Sequence, residues 1–543
     1  MTEAPSTRRP RNESTNYDVA IIGYGPTGAT AANLLGGMGL KVLVIERDPD
    51  VYNRARAISI DEEVLRVWQS AGLAERLQRD MLPGLPITFV GADGKPFFEW
   101  VITPKGSGHP AQQFIYQPAV DAVLREGVER FANVEILMHH ECLRVVPKGN
   151  EVELMLADLT ADTFKRVRAS YVIAAEGGSS PTRGQLGIGY SGRTYAERWI
   201  VIDTKVIKEW DEHDRLRFHC KPTRPTVDCP TPLGHHRWEF PIREHEDEQK
   251  MSSHEEVWKI LNAQGITEGN VEILRSVVYS HHVRCADRWR VGRIFLAGDA
   301  AHAMPPWLGQ GMSAGVRDAA NLCWKLAAVV RGQAPDSLLD TYQTERQPHV
   351  TEITRRAVRM GWLITEHRIS IATIRDRGAA ALTRRSQVVD LVQKYCWIPD
   401  ARHARGFLHG KSAAVGRQLP QPWVLAPTGS TERLDDALGN QWTVLHTGPE
   451  PVGSQSWKDL GVPAIRLSGP DSEAAATANC IRDTAGTLVG WFKEKKAAAV
   501  IVRPDGFVYG AAGPGQALPR PPARFTCSPA RTATEPNRMG ISA

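Results

Sequence analysis

The feature that most constrains this chain is a glycine pattern between two apolar segments near its start. Gly23, Gly25 and Gly28 form G-x-G-x-x-G at the end of the apolar run 18–23, and a second run, KVLVIE, follows at 41–46. The first glycine permits a tight turn, the second lets backbone approach a pyrophosphate, and the third lets a helix pack closely on a strand. A strand, a helix and a parallel strand in this order form a βαβ unit. The pattern therefore predicts an α/β chain that opens with a Rossmann-like domain.

An acidic residue completes this nucleotide-binding pattern. Glu46 ends the second predicted strand, where a carboxylate binds the hydroxyls of a ribose. The phosphates would lie at the start of the helix, because free N–H groups and the helix dipole favour anions there. An acid at this position favours a ribose diol over a 2′-phosphate, which suits either FAD or NAD.

A second motif, RIFLAGDAAHAMPPWLGQGM at 293–312, resolves that choice. A short apolar strand runs into Gly298-Asp299, where the Asp299 carboxylate can accept a hydrogen bond from a polyol. Gly309 and Gly311 expose backbone N–H groups at the start of the next predicted helix. Such donors stabilise negative charge on a reduced isoalloxazine ring, so the motif predicts FAD.

Composition excludes several other classes of function. The 543 residues exceed one typical domain, and the net charge of +5 is small for this length. No Lys/Arg run interleaves with aromatic residues, so we expect no nucleic-acid partner, and the mild basicity favours anionic small molecules. No apolar window is long enough to span a membrane. The eight cysteines are scattered without Cys-x-x-Cys, which favours reduced thiols, no metal site and a cytoplasmic protein.

Shifts in composition along the chain predict several domains. Residues 196–284 are rich in Trp, His and Pro and predict an antiparallel sheet inserted into the nucleotide-binding fold. A helical region follows, with a break predicted near Pro348. The predicted organisation is a disordered tail at 1–16, an FAD-binding domain at 17–90, 115–195 and 285–345, a substrate domain at 91–114 and 196–284, a helical segment at 346–402, a small α/β domain at 415–512 and a flexible tail at 513–543.

Four stretches of the sequence resemble one family. These stretches are GYGPTGATAANLLGGMGLKVLVIERD at 23–48, RAISIDEEVLR at 56–66, GHHRWEF at 234–240, and YSHHVRCADRWRVGRIFLAGDAAHAMPPWLGQGMSAGVRDAANLCWKL at 279–326. They are similar to the FAD-dependent aromatic hydroxylases of the para-hydroxybenzoate hydroxylase superfamily, and within it most to 3-(3-hydroxyphenyl)propionate hydroxylases. This resemblance implies a single-component flavin monooxygenase that uses NADH or NADPH and O2 to hydroxylate a phenol through a flavin hydroperoxide.

The resemblance also implies which residues bind the cofactor. The implied FAD-binding set is Gly23, Gly25, Gly28, Glu46, Arg56, Gln117, Glu176, Asp299, Pro306, Gly309, Gln310, Gly311 and Met312. Glu176 stands where the family has an Asp-Gly pair that both FAD and the nicotinamide cofactor use, ahead of Ser180 and Arg183. The charge is retained at this position, but the side chain is one methylene longer.

The sequence contains no second G-x-G-x-x-G that would predict a separate nicotinamide domain. This argues against flavoproteins of the Baeyer–Villiger and disulfide-reductase types, and it fits a nicotinamide cofactor that binds transiently. Near the C-terminus, VIVRPDGFVYG at 500–510 is similar to the thioredoxin-like domain of phenol and polyketide hydroxylases. The segment lacks a redox Cys pair, so its role would be structural or at the interface of a possible homo-oligomer.

Histidines and arginines are the candidates for substrate chemistry. Because histidine titrates near neutral pH, His281 and His282 are the first candidates to assist phenol deprotonation, ahead of His235, His236 and His302. A phenylpropionate carboxylate calls for an arginine, and Arg237 and Arg217 are the candidates in the inserted domain.

Three functions remain open at this level. The first is hydroxylation of 3-(3-hydroxyphenyl)propionate, its cinnamate analogue or a close relative. The second is hydroxylation of a larger polyketide-like aromatic or of another phenol. In the third, the protein holds FAD without monooxygenase turnover. The nearly intact flavin loop at 305–312 argues against the third function.

Overall fold

Apolar runs near the start of the chain form the first strands of a sheet in the larger of two units. The computed structural model describes residues 17–51, 56–426, 428–472 and 479–526. The larger unit comprises the described parts of Pro10–Cys323 and Tyr342–Ala401, and the smaller unit comprises Trp324–Thr341 and the described part of Arg402–Ala543. The predicted tail at 1–16 lies outside the described residues.

The first sheet of the larger unit has eight strands. They are β1 (Tyr17–Ile22), β2 (Val42–Ile45), β8 (Val134–Leu137), β9 (His140–Lys148), β10 (Glu151–Asp158), β11 (Thr163–Ala174), β17 (Arg290–Val291) and β18 (Ile294–Leu296). The order is β17-β18-β11-β1-β2-β8, with β10 pairing on β11 and β9 on β10. Strands β18, β11, β1, β2 and β8 run parallel to one another, so their carboxyl ends share one edge. Ligands of open α/β sheets bind at this edge.

A second eight-stranded sheet forms the inserted domain. Its strands are β5 (Ile87–Val90), β6 (Pro96–Trp100), β12 (Tyr190–Val206), β13 (Leu216–His219), β14 (Thr226–Thr231), β15 (His235–Ile242), β16 (Val271–Ala286) and β19 (His302–Ala303). The order is β19-β16-β12-β15-β14-β13-β5-β6, and all pairs are antiparallel except β13 with β5. The predicted insertion of a largely antiparallel sheet is confirmed.

The predicted domain boundaries fall inside strands of this second sheet. Strand β12 runs without interruption through residue 195, and β16 runs through residue 284. Strand β5, within the range predicted for the FAD-binding domain, pairs with β13 and β6 of the inserted sheet. Strands of the inserted sheet therefore extend into the ranges predicted for the FAD-binding domain.

Helices and a small sheet complete the larger unit. The helices are α1 (Pro26–Gly37), α2 (Glu62–Ser70), α3 (Ala74–Gln78), α4 (Gln117–Val128), α5 (Pro181–Gln185), α6 (Glu248–Met251), α7 (His254–Asn262), α8 (Gly311–Val330), α9 (Thr341–Ile364), α10 (Ile369–Leu382) and α11 (Ser386–Cys396). The division between the units falls within α8, after Cys323, and after Thr341, the first residue of α9. The small sheet pairs β3 (Ser59–Asp61) and β4 (Leu82–Pro83) with β7 (Gln112–Phe114).

The predicted break near Pro348 is wrong, because α9 continues through this proline. A proline inside a helix costs about 3 kcal/mol, since it removes one hydrogen bond and crowds the preceding turn. Burial of α9 around Pro348, at Arg346, His349 and Val350, and two buried hydrogen bonds in the turn before the proline offset this cost. Asn321 donates to Glu345 at 2.6 Å, and Arg346 donates to Asp318 at 2.9 Å.

The smaller unit contains a seven-stranded mixed sheet. Its strands are β20 (Trp423–Leu425), β21 (Thr431–Arg433), β22 (Thr443–His446), β23 (Ala464–Ser468), β24 (Cys480–Asp483), β25 (Ala499–Val502) and β26 (Val508–Ala512), and its helices are α12 (Leu434–Leu438), α13 (Gln455–Lys458) and α14 (Thr487–Glu494). The order is β21-β20-β24-β23-β22-β25-β26. A small α/β domain is thus present, and its likeness to thioredoxin stays a prediction.

The segment 513–526 does not behave as the predicted flexible tail. Leu518 and Phe525 are buried, and the Leu518 N–H donates to the Val452 carbonyl at 2.8 Å. Its apolar side chains, which the surrounding Pro and Arg residues obscure in the sequence, pack within the smaller unit. The rest of that predicted tail, 527–543, lies outside the described residues.

Candidate functional site

The acidic candidates meet at the carboxyl edge of the parallel sheet. Glu46 follows β2, Glu176 follows β11 and Asp299 follows β18, while the glycine turn at 23–25 follows β1. Glu46 is held against that turn, because its carboxylate accepts hydrogen bonds from the N–H groups of Tyr24 at 2.7 Å and of Asp48 at 2.9 Å. A carboxylate has further lone pairs, so Glu46 can still bind a ribose hydroxyl.

The three glycines of the first motif have different surroundings. Gly23 has φ +98°, and a Cβ atom on it would lie 2.5 Å from the Ala175 carbonyl oxygen. A Cβ on Gly28 would lie 2.0 Å from the Gly23 carbonyl oxygen. At Gly25 a Cβ would meet no described atom within 4 Å, and no side chain caps the start of α1 at this residue. Gly23 and Gly28 therefore cannot carry a side chain without a clash. The space beside Gly25, at the N-terminus of α1, holds no atom of the described residues.

Gly25 allows the cofactor contact to be tested apart from folding. Gly25→Ala is expected to leave the melting temperature of the apoprotein nearly unchanged and to raise the Kd for FAD at least tenfold, because the methyl group fills the space a pyrophosphate needs. Gly28→Ala is the control, since it should lower the melting temperature through its clash with Gly23. Titration of apoprotein with FAD measures the Kd, and an unchanged Kd for Gly25→Ala would contradict the assignment.

Thr27 connects the two glycine motifs in space. A Cβ built on Gly298 would lie 2.7 Å from the Thr27 Oγ1, and one built on Gly315 would lie 2.2 Å from the same atom. The turn at 298–299 and the start of α8 therefore pack directly on the N-terminal turn of α1. Motifs more than 250 residues apart in the sequence form one site.

A buried network holds the Gly298-Asp299 turn in place. The Asp318 carboxylate accepts hydrogen bonds from the Gly298 N–H at 3.0 Å, from His302 Nε2 at 2.6 Å and from Arg346 Nε at 2.9 Å. Burial alone would raise the pKa of Asp318, but His302 and Arg346 hold the pKa below its usual value. His302 therefore has a structural role here, and sequence analysis missed Asp318 and Arg346.

The Asp299 carboxylate is the least satisfied acid at this edge. Within the described chain no hydrogen bond reaches this carboxylate, although its backbone carbonyl accepts the Tyr190 hydroxyl at 2.8 Å. Burial raises the pKa of Asp299, while the positive charges of His302 and Arg56 act in the opposite direction. A half-buried carboxylate without a partner is suited to accept a hydrogen bond from a ligand hydroxyl.

Charged residues also anchor the predicted flavin loop. Gln310 accepts a hydrogen bond from Arg317 at 3.1 Å, and Arg317 also donates to Asp61 at 2.6 Å and to Glu63. Asp61 in turn caps the start of α2. The motif at 56–66 thus reaches the loop through ion pairs that the sequence analysis did not identify.

The glycines and flanking residues of that loop lie at the start of α8. Gly309 has φ +64°, and a Cβ on it would lie 2.6 Å from the Ser59 Oγ, whereas a Cβ on Gly311 would meet no described atom within 4 Å. Pro306 is exposed and Met312 is half-buried on either side of them. The backbone at Gly311 is therefore open to a ligand.

Glu176 binds within its own loop. Its carboxylate accepts the hydroxyl groups of Ser180 at 2.5 Å and Thr182 at 2.8 Å, next to the start of α5. Arg183 then donates to the Ala300 carbonyl at 3.0 Å, which ties this loop to the Asp299 turn. Burial raises the pKa of Glu176 despite these hydrogen bonds. The longer side chain thus stabilises the loop, and its predicted role in cofactor binding stays a prediction.

The two candidate catalytic histidines lie on opposite faces of β16. His282 is exposed, and its Nδ1 lies 3.0 Å from the Thr194 hydroxyl. His281 stacks on Trp199, with ring centroids 5.6 Å apart, and meets Trp307 edge-on at 5.6 Å. Burial and the neighbouring His282 lower the pKa of His281 to about 4. Since Trp307 belongs to the flavin loop, the structure brings His281, but not His282, to that loop.

The aromatic cluster around His281 has a definite shape. Trp199 and Trp307 meet edge-to-face with centroids 4.9 Å apart, and a Cβ on Gly361 of α9 would lie 2.2 Å from Trp307 Nε1. The pairing of β12 with β16 is irregular at residues 195–197, opposite His281. Such irregularities often redirect side chains beside active sites. Among the described residues neither ring nitrogen of His281 has a hydrogen-bond partner.

The remaining candidates already have partners in the protein. Arg217 donates to Asp228 at 3.0 Å and to Glu212 at 2.8 Å, and His236 lies 3.4 Å from the same Asp228. His235 stacks on Tyr116 with centroids 4.3 Å apart. These pairs show stabilising contacts of the inserted sheet, and a role for Arg217 in substrate binding stays a prediction.

Comparison with known proteins decides the family. Residues 16–357 match the protein family described as FAD binding domain, and residues 416–524 match that described as HcaD C-terminal domain. A 3-(3-hydroxy-phenyl)propionate/3-hydroxycinnamic acid hydroxylase of Burkholderia vietnamiensis is 33% identical, over 90% of this chain and 92% of its own. Its counterpart in Escherichia coli O139:H28 is 34% identical over 92% of both chains. The protein belongs to this family of FAD-dependent hydroxylases. The crystal structure of the flavin-dependent monooxygenase PieE shares the fold, with a TM-score of 0.77 at 22% identity over 91% of this chain and 96% of that one.

The residues present in the hydroxylase fit FAD. Gly25 and Gly311 leave open backbone at two helix starts, and the Asp299 carboxylate lacks a partner among the described residues. These features match the pyrophosphate, the flavin ring and the ribityl chain, respectively. In the described part of the hydroxylase no group of His, Cys, Asp and Glu could hold a metal, and no helix is long and apolar enough to cross a membrane. All seven described cysteines are free thiols.

Proposed function

We propose that this hydroxylase adds one oxygen atom from O2 to the ring of a phenolic acid such as 3-(3-hydroxyphenyl)propionate or 3-hydroxycinnamate. NADH or NADPH supplies two electrons, and the second oxygen atom leaves as water. The observation that carries the proposal is similarity at 33–34% identity over nine-tenths of the chain to hydroxylases named for these two substrates. Similarity over this length includes the inserted sheet, where a substrate pocket would lie.

The protein has three tasks in this reaction, since bound FAD supplies the redox and oxygen chemistry. Asp299 and the backbone at Gly25 and Gly311 bind and orient the cofactor. Trp199 and Trp307 provide an apolar surface that excludes water from the ring being oxidised. His281, whose lowered pKa keeps it neutral at pH 7, can donate its ring N–H to the phenol oxygen as that oxygen loses its proton.

The substrate carboxylate has no free arginine among the sequence candidates. Arg237 and Arg217 both already bind carboxylates of the protein. Both stay predictions for binding the substrate carboxylate.

The function is tested by substrate-dependent oxidation of the nicotinamide. We expect 3-(3-hydroxyphenyl)propionate to stimulate NADH or NADPH oxidation at least tenfold over the rate without substrate, with formation of a dihydroxyphenyl product. 3-Phenylpropionate, which lacks the hydroxyl, is the matched control and should not be hydroxylated. If no phenol in a panel stimulates oxidation, the protein is not a phenol hydroxylase. If only polycyclic phenols yield product, the phenylpropionate assignment is wrong.

A further inference from the structure

Arg237 is a buried arginine of the inserted sheet that contacts the backbone of the segment at 56–57. Its Nε and Nη2 donate to the two oxygens of Asp203, at 2.7 and 3.2 Å. Its Nη1 donates to the backbone carbonyl of Arg56 at 2.9 Å. The side chain is 3% exposed, so these contacts are made without competition from water. A guanidinium held by a carboxylate on one side thus fixes a backbone carbonyl on the other.

The same short segment is held from the opposite side by α4. Gln117 Oε1 accepts hydrogen bonds from the N–H groups of Arg56 at 2.9 Å and Ala57 at 2.8 Å. Gln117 Nε2 donates to the buried Asp121 at 3.3 Å, which sets the orientation of the amide. The backbone at 56–57 therefore has its N–H groups bound by one element and its carbonyl bound by another.

The charge of Arg56 acts on two acids, the half-buried Asp299 and the buried Asp121. It lowers the pKa of Asp299, against the larger effect of burial, and it does the same at Asp121. The same segment also packs on the flavin loop three residues further on, since a Cβ on Gly309 would lie 2.6 Å from the Ser59 Oγ. Contact with that loop and the effect on Asp299 both place Arg56 beside the candidate cofactor site. Its position depends on the backbone that Arg237 and Gln117 hold.

We propose that Arg237 and Asp203 are positioning residues for the cofactor site, and that they act through Arg56. The inserted sheet would then contribute to FAD binding without touching FAD. The proposal requires that the chain binds FAD, but it does not depend on which phenol is hydroxylated. It also differs from the sequence prediction, in which Arg237 binds the substrate carboxylate.

A double-mutant cycle tests whether Arg237 acts on FAD affinity through Arg56. Arg237→Lys keeps the charge but cannot bind Asp203 and the Arg56 carbonyl together, so we expect the Kd of the apoprotein for FAD to rise about tenfold, the size of one charge-assisted hydrogen bond. In an Arg56→Ala background the same change should raise the Kd less than twofold. Asp203→Asn is a second variant that should reproduce both results if Arg237→Lys does not fold.

The matched control is Arg224→Lys. Arg224 lies in the same domain and, like Arg237, binds both a carboxylate and a backbone carbonyl. It pairs with Glu246 and donates to the Pro241 carbonyl at 3.0 Å. The Arg224→Lys substitution should leave the Kd for FAD unchanged. If Arg237→Lys raises the Kd for FAD equally in the wild-type and Arg56→Ala backgrounds, Arg237 does not act through Arg56 and the proposal is wrong. A raised KM for the phenol with an unchanged Kd for FAD would overturn the proposal and assign Arg237 to the substrate.

Discussion

Replacing His281 with phenylalanine is expected to lower kcat for phenol hydroxylation about 10²- to 10³-fold, the range for loss of one hydrogen-bond donor to a developing oxyanion. Phenylalanine keeps the ring contacts with Trp199 and Trp307 and removes only the two nitrogens. The Kd for FAD should stay within twofold of the wild-type value. His282→Phe, on the exposed face of the same strand, is the comparison and should change kcat by no more than a few-fold. Equal losses for both variants would contradict the assignment.

The lowered pKa of His281 gives this prediction a pH signature. A histidine with a pKa of about 4 in the folded protein and 6.5 when unfolded binds fewer protons in the folded state between these values. Its contribution to stability is therefore complete above pH 6.5 and is lost as the pH falls towards 4. His281→Phe should lose less stability than the wild type in this window. Denaturant unfolding at pH 7 and at pH 4.5 measures the difference.

Replacing Asp318 with alanine is expected to lower the free energy of unfolding by about 3–5 kcal/mol, because it leaves the buried Arg346 and His302 without their carboxylate. It also frees the Gly298 N–H, so the turn that presents Asp299 should loosen and the Kd for FAD should rise at least tenfold. Denaturant unfolding followed by circular dichroism, together with FAD titration below the transition, separates the two effects.

Asp228→Ala is the control for this prediction. Asp228 is also fully buried and binds Arg217 and His219, but it lies in the inserted sheet. It should cost similar stability and leave the Kd for FAD unchanged. A similar change of FAD affinity in both variants would show that Asp318 acts only through global stability.

Much of the cofactor site was predictable because its motifs are local. A glycine at a tight turn, an acid at the end of a strand and open N–H groups at the start of a helix are each set by a few neighbouring residues. The order of these residues in the sequence therefore indicated both the α/β fold and FAD. The inserted sheet was also predicted, although its boundaries were not, since β12 and β16 continue through the positions where composition changes.

The partners of buried charges could not be predicted. Asp318 lies 20 residues from Gly298, and Arg317 binds Asp61 across more than 250 residues. In the sequence both residues are simply polar positions in a helix. A buried charge must be paired, but the sequence does not state which distant residue pairs with it.

By itself the sequence determined the nucleotide-binding fold and the cofactor, because these follow from local backbone geometry. The tertiary structure alone decided between adjacent residues of the same type. His281 and His282 are equivalent as sequence, yet alternation along β16 turns one towards the tryptophans of the flavin loop and the other towards solvent. Likewise, Arg237 is an arginine of the inserted domain in the sequence, and only packing places its guanidinium between Asp203 and the backbone of Arg56. Side-chain direction and long-range pairing arise from the assembly of the sheets, which no local pattern specifies.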